Sequence, residues 1–125
     1  MMNLELILEA LRELSDANYQ AALWTGESEG EQSSFTEAVC VLFDDSGLAR
    51  ALDSGSLEMT YSDALCLRAR QLRKLVALVD DTGTPEQTLN HPKMIDLRKT
   101  AQELNELFFA ELLPTPESPP STPRG

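Results

Sequence analysis

From Ser62-Asp63 to Val79 the chain contains no glycine and no proline, and its apolar residues keep a helical period. At about 100° per residue, Leu65, Ala69, Leu72, Leu75, Val76 and Val79 fall on one arc. This spacing predicts a long amphipathic helix, and such a helix must bury its apolar stripe against other elements. Two further segments share the pattern. Leu4, Ile7, Leu8, Leu11 and Leu14 recur with Glu5, Glu9, Arg12 and Glu13 between them. After the break at Asn90-His91-Pro92, a last helix holds Met94, Ile95, Leu97, Ala101, Leu104, Leu107, Phe108 and Leu112.

Shorter elements are marked by their ends. Ser15-Asp16 can cap a second helix through Tyr19, Leu23 and Trp24, which Gly26 would stop. Residues 26–33 have no apolar side chain and two glycines, as expected of an exposed acidic loop. Ser34-Phe35-Thr36-Glu37 matches a capping box. The residues after it, 38–43, fit a buried strand as well as a helix, and the capping chemistry favours the helix. Gly47 can end that helix, and Leu48–Leu52 can form another turn or two before Ser54-Gly55. Thr84-Pro85-Glu86-Gln87 is a second box-like start with proline at the first helical position. From Pro114 onward there is no large apolar side chain and five of the seven prolines. The expected architecture is therefore all-α: a compact bundle of four or five helices in one domain over residues 1–113, with a disordered Pro/Ser/Thr tail over 114–125.

Charge is distributed unevenly. Residues 1–63 carry 13 acidic and 2 basic side chains, and residues 64–125 carry 8 of each, so the whole net charge of −11 belongs to the first half. That balance argues against direct binding of nucleic acid or an anionic membrane, both polyanions, and favours a basic protein partner. No apolar run approaches the roughly 20 residues of a membrane helix, and the N-terminus lacks the basic region of a secretory signal, so a cytoplasmic protein is expected. Cys40 and Cys66 sit among apolar neighbours without disulfide or metal spacing and are expected to be buried, reduced thiols.

Some residues stand out against this background. Leu42-Phe43-Asp44-Asp45-Ser46-Gly47 and Leu78-Val79-Asp80-Asp81-Thr82-Gly83 each end an apolar run in Asp-Asp-Ser/Thr-Gly. Carboxylates at a helix C-terminus meet partial negative charge, so either a cap for the next helix or a cationic group must relieve them. Arg68 falls inside the apolar arc of its helix. It is expected to form an internal ion pair with Asp44, Asp45 or Asp53, or else to snorkel at the core edge. Arg70, Arg73 and Lys74 read as a solvated face, or as a basic answer to the acidic surface of a second copy. Trp24 belongs to the core or, partly exposed beside Glu27, Glu29 and Glu31, serves as a binding anchor. His91 reads as a capping or exposed residue, and neither a nucleophile elbow nor a phosphate loop is present.

The stretches Trp24-Thr25-Gly26-Glu27, Ser34-Phe35-Thr36-Glu37-Ala38-Val39 and Leu42-Phe43-Asp44-Asp45-Ser46-Gly47-Leu48 together resemble a pattern of small acidic, largely uncharacterised bacterial proteins. Some of those proteins are similar to immunity proteins of toxin–immunity pairs. The resemblance implies a bacterial cytosolic protein with a binding role and transfers no catalytic residues. The leading expectation is a non-enzymatic protein that covers a basic surface, concretely immunity to a nuclease-type toxin, through Trp24, Glu27, Glu29, Glu31, Glu37, Asp44 and Asp45. The alternative is a structural or regulatory helical module, as a homodimer in one version, whose acidity serves solubility. A metal-dependent hydrolase built on the two Asp-Asp pairs is the third reading, and nothing in the sequence calls for a cofactor.

Overall fold

The computed structural model describes residues 2–24, 34–79 and 84–112. These residues form eight α-helices and no strand. They are α1 (Leu4–Ser15), α2 (Ala17–Trp24), α3 (Phe35–Cys40), α4 (Leu48–Ser54), α5 (Ser56–Thr60), α6 (Asp63–Leu78), α7 (Pro85–Leu89) and α8 (Met94–Leu112), with a π turn over Val41–Asp45 continuing α3. The all-α class holds. The larger number of helices arises because glycines in the left-handed conformation, Gly47 at φ 86° and Gly55 at φ 80°, cut the middle of the chain into short pieces. The loop at 26–33, the second Asp-Asp corner at Asp80–Gly83 and the proline-rich tail lie outside the described residues.

The caps read from sequence close the helices. Asp16 Oδ1 accepts from the backbone N–H of Asn18 and of Tyr19. Ser34 Oγ accepts from Glu37 N–H at 3.0 Å, and Ser62 Oγ accepts from Leu65 N–H at 3.2 Å. Thr84 and Gln87 form the full reciprocal capping box. Each side chain satisfies an N–H that the first turn leaves without a helical partner, typically worth about 1 kcal/mol. His91 lies in the turn between α7 and α8, its Nδ1 accepting at 3.0 Å from the N–H of Lys93, the residue ahead of α8.

α8 is the central element, packed against both α1 and α6. Its Met94, Leu97, Ala101, Leu104 and Phe108 are fully buried, and they meet Ile7, Leu11 and Leu14 from α1 and Leu65, Ala69 and Leu72 from α6 in one core. Full burial of each large aliphatic side chain contributes about 1.5–3 kcal/mol. α6 and α8 run antiparallel, because Ser62 N–H reaches Glu111 Oε1 at 2.9 Å while Arg68 Nε lies 3.1 Å from Glu103 Oε1. Tyr61 packs edge-on against Phe108, with ring centroids 5.2 Å apart. No helix among the described residues is long and apolar enough to cross a membrane.

A buried polar tie joins the opposite side of the molecule. Gln20 is fully buried; its Nε2 donates to the Leu14 carbonyl at 2.8 Å and its Oε1 accepts from Arg98 Nε at 2.9 Å. Arg98 also donates through Nη2 to the Leu89 carbonyl at 3.0 Å. One glutamine and one arginine thus satisfy carbonyls near the ends of α1 and α7. Burial lowers the Arg98 pKa from its ordinary value. The N-terminal segment is held too, since Asn3 N–H donates to the Ser46 carbonyl at 2.7 Å.

Candidate functional site

The acidic corner is shaped by the π turn. Ser46 N–H donates to the Val41 carbonyl at 3.0 Å, five residues back, so this turn accommodates one residue more than an α-helical turn. On this turn Leu42 and Phe43 lie in the core and Asp44 and Asp45 are exposed. Ser46, itself buried, donates its hydroxyl to the Leu42 carbonyl, and its Oγ accepts from Leu48 N–H at 3.2 Å. The serine of the Asp-Asp-Ser-Gly segment therefore serves the start of α4, and Gly47 makes the left-handed turn between the helices.

A shallow depression of about 570 Å3 opens beside this corner, lined by Phe43, Asp44, Ala49, Arg50, Asp53 and Ser54. Arg73 of α6 holds Asp53 through two hydrogen bonds, at 2.8 and 3.4 Å. That contact keeps the Asp53 carboxyl below its ordinary value and raises Arg73, to which the negative charges of Asp53 and then Asp44 also contribute. Asp44 and Asp45 occupy the last turn of their helix, where the carbonyl dipoles disfavour negative charge by a few tenths of a kcal/mol. Exposed carboxylates in that position can accept hydrogen bonds from a guanidinium or an ammonium group. Among the described residues, no group of three His, Cys, Asp or Glu side chains could hold a metal ion.

The other residues singled out in the sequence take varied positions. Glu37 is exposed in the first turn of α3, where its charge favours the helix dipole. Glu27, Glu29 and Glu31 lie outside the described residues. Trp24 is not a surface anchor: it is 5 % exposed, its Nε1 donates to Glu13 Oε2 at 2.7 Å, and its ring packs edge-on against Phe35 at 5.8 Å. An indole needs one partner for its N–H when buried, and Glu13, one turn back along α1 from the α1–α2 junction, supplies it.

Arg68 does form an ion pair, but with Glu103 of α8 and not with Asp44, Asp45 or Asp53. It also donates to Gln71 Oε1 at 2.9 Å. The antiparallel packing of α6 on α8 decides this, because it puts a glutamate across the groove from the guanidinium. The ties between the acidic half and α6 come from residues expected to be solvated, Arg73 to Asp53 and Arg70 to Glu58. Cys40 is exposed, contrary to expectation, whereas Cys66 is buried and burial raises its thiol pKa. The Gln20–Arg98 tie and Glu103 carried no signal along the chain, since their partners are brought together by helix packing.

Comparison with known protein families, with curated proteins and with solved structures finds no match to this chain.

Proposed function

We propose that this chain is a non-enzymatic binding protein whose acidic half covers a basic surface of a protein partner, most concretely as the immunity protein of a nuclease-type toxin. The observation that carries the reading is the pair Asp44 and Asp45, exposed on a π turn at a helix C-terminus. The local dipole opposes charge there, and a guanidinium or ammonium group from a partner would relieve it. The first half also keeps a strongly one-signed charge, which steers a basic partner to the encounter and makes association salt-sensitive.

Affinity capture from native cells tests the reading. The chain should retain a basic protein at low ionic strength and release it at high salt. The double variant Asp44→Arg/Asp45→Arg should bind that protein at least about tenfold more weakly. Retention of no basic protein, or equal affinity after charge reversal, would overturn it.

A second reading has its own support. Glu13, Asp16, Asp53 and Glu58 are engaged within the fold, as acceptor, cap and ion-pair partners. Part of the acidity is therefore structural, as expected of a structural or regulatory helical module whose remaining charge serves solubility.

A further inference from the structure

Among the described residues five large apolar side chains are exposed, and four of them belong to α6 and α8: Leu67 at 62 %, Leu78 at 57 %, Ile95 at 70 % and Phe109 at 46 %. They terminate two exposed ridges. On α6 the ridge is Leu67, Gln71, Lys74, Leu78, and on α8 it is Ile95, Lys99, Gln102, Glu106, Phe109. Both follow alternating steps of four and three residues, which keep side chains on one stripe of a helix. The ridges border one groove. Leu67 and Glu106 line its first part, of about 500 Å3, together with Ala64 and Ala110. Gln71 and Lys99 line its continuation, of about 330 Å3.

Each ridge begins and ends on an apolar side chain, and the α8 ridge carries opposite charges, Lys99 and Glu106, on either side of its middle. Rotation by a two-fold axis perpendicular to the helices reverses both ridges onto themselves. Leu67 then meets the partner's Leu78, and Ile95 meets the partner's Phe109. Lys99 meets the partner's Glu106, and Lys74 meets the partner's Gln71. The antiparallel contacts Ser62–Glu111 and Arg68–Glu103 align the ridge midpoints to within about 2–5 Å at 1.5 Å of rise per residue, close enough for one axis to serve both. Self-complementarity of this kind is what an isologous interface requires.

Charge agrees with the same occupant. Arg68, Lys74 and Lys99 balance Asp96, Glu103 and Glu106 across the ridges and groove, so the face is neutral while residues 1–63 sum to −11. Two copies can meet here without the repulsion that the acidic half would impose. We propose that the α6/α8 face is the interface of a homodimer. The inference uses none of the acidic residues assigned to partner binding and goes beyond that reading.

Sedimentation equilibrium of the full chain over a wide concentration range tests it. The apparent mass should rise from that of one chain toward that of two. K99E and E106K should each weaken association by about tenfold or more, and the combined K99E/E106K variant should recover it, because the swapped charges again meet across the axis. A defect in folding would not be rescued in this way. L67E should give a monomer with unchanged helical circular dichroism. A monomer at all concentrations overturns the proposal, as does a dimer indifferent to L67E or an absence of recovery in the double variant. A dimer that dissociates on charge reversal at Asp44 and Asp45 also overturns it, and leaves the partner reading to its own test.

Discussion

Replacing Gln20 by methionine removes both hydrogen bonds of a fully buried amide while nearly preserving its volume. Two groups lose their partner: the Leu14 carbonyl, now accepting at 2.8 Å, and the Arg98 Nε–H, now donating at 2.9 Å. A hydrogen bond to a charged group is worth about 1.5–3 kcal/mol, and an orphaned buried carbonyl costs about 1–3 kcal/mol. Arg98 is only half-buried, so water recovers part of its loss, and the methionine gains about 1 kcal/mol of apolar burial. The expected net cost is about 2–3 kcal/mol, a large share of the roughly 5–15 kcal/mol that a domain of this kind has. Urea unfolding followed by helical circular dichroism, with the single tryptophan as a second probe, measures it. The cycle with R98M sharpens the expectation. The double variant Q20M/R98M should cost less than the two single variants together, by about 1–2 kcal/mol, because each single change strands the other group. A cost for Q20M below about 0.5 kcal/mol, or strictly additive costs, would refute the account of this tie.

Two further outcomes are expected. Cys40, exposed, should react with a water-soluble thiol reagent in the native protein, while Cys66, buried and with a raised pKa, should react only on unfolding; equal native rates for C40S and C66S variants would contradict this. Asp53 and Glu58 have folded pKa values held below their ordinary 3.8 and 4.5 by Arg73 and Arg70, so the unfolded chain takes up their protons first as pH falls. Their contribution is present above those ordinary values and is lost as pH drops through the lowered folded ones. The urea midpoint of an R70Q/R73Q variant should therefore fall less steeply below pH 4.5 than that of the parent, and identical slopes would count against the ion pairs.

Much of the helical framework was legible because it rests on local rules. The periods of α1, α6 and α8 and the caps at Asp16, Ser34, Ser62 and Thr84 involve residues at most a few positions apart. The ambiguity over 38–43 arose from the run Val39 to Phe43, which is apolar at every position. In the structure the run is helical, α3 continued by the π turn, with Leu42 and Phe43 buried, Val39 and Val41 half-buried and Cys40 exposed. α5 left no trace because five residues with one buried side chain, Leu57, are too few to show a period. The site was less legible for a different reason. The burial of Trp24 depends on Glu13 and Phe35, and the partner of Arg68 depends on the packing of α6 against α8. Net charge gave no sign of which carboxylates are engaged inside the fold, since Glu13, Asp53 and Glu58 find their partners only through helix packing.

The hydrogen bond from Asn3 to the Ser46 carbonyl bears on how this protein is handled at the bench. It anchors the N-terminal entry of the chain beside the turn that carries Asp44 and Asp45. A purification tag joined ahead of Asn3 is thereby tethered next to the acidic corner, where a polyhistidine sequence, part-protonated near neutral pH, would compete for those carboxylates with the basic partner proposed above. On that reading, binding measured with such a tag in place would understate the affinity, so the tag should be removed before the proposal is tested by titration.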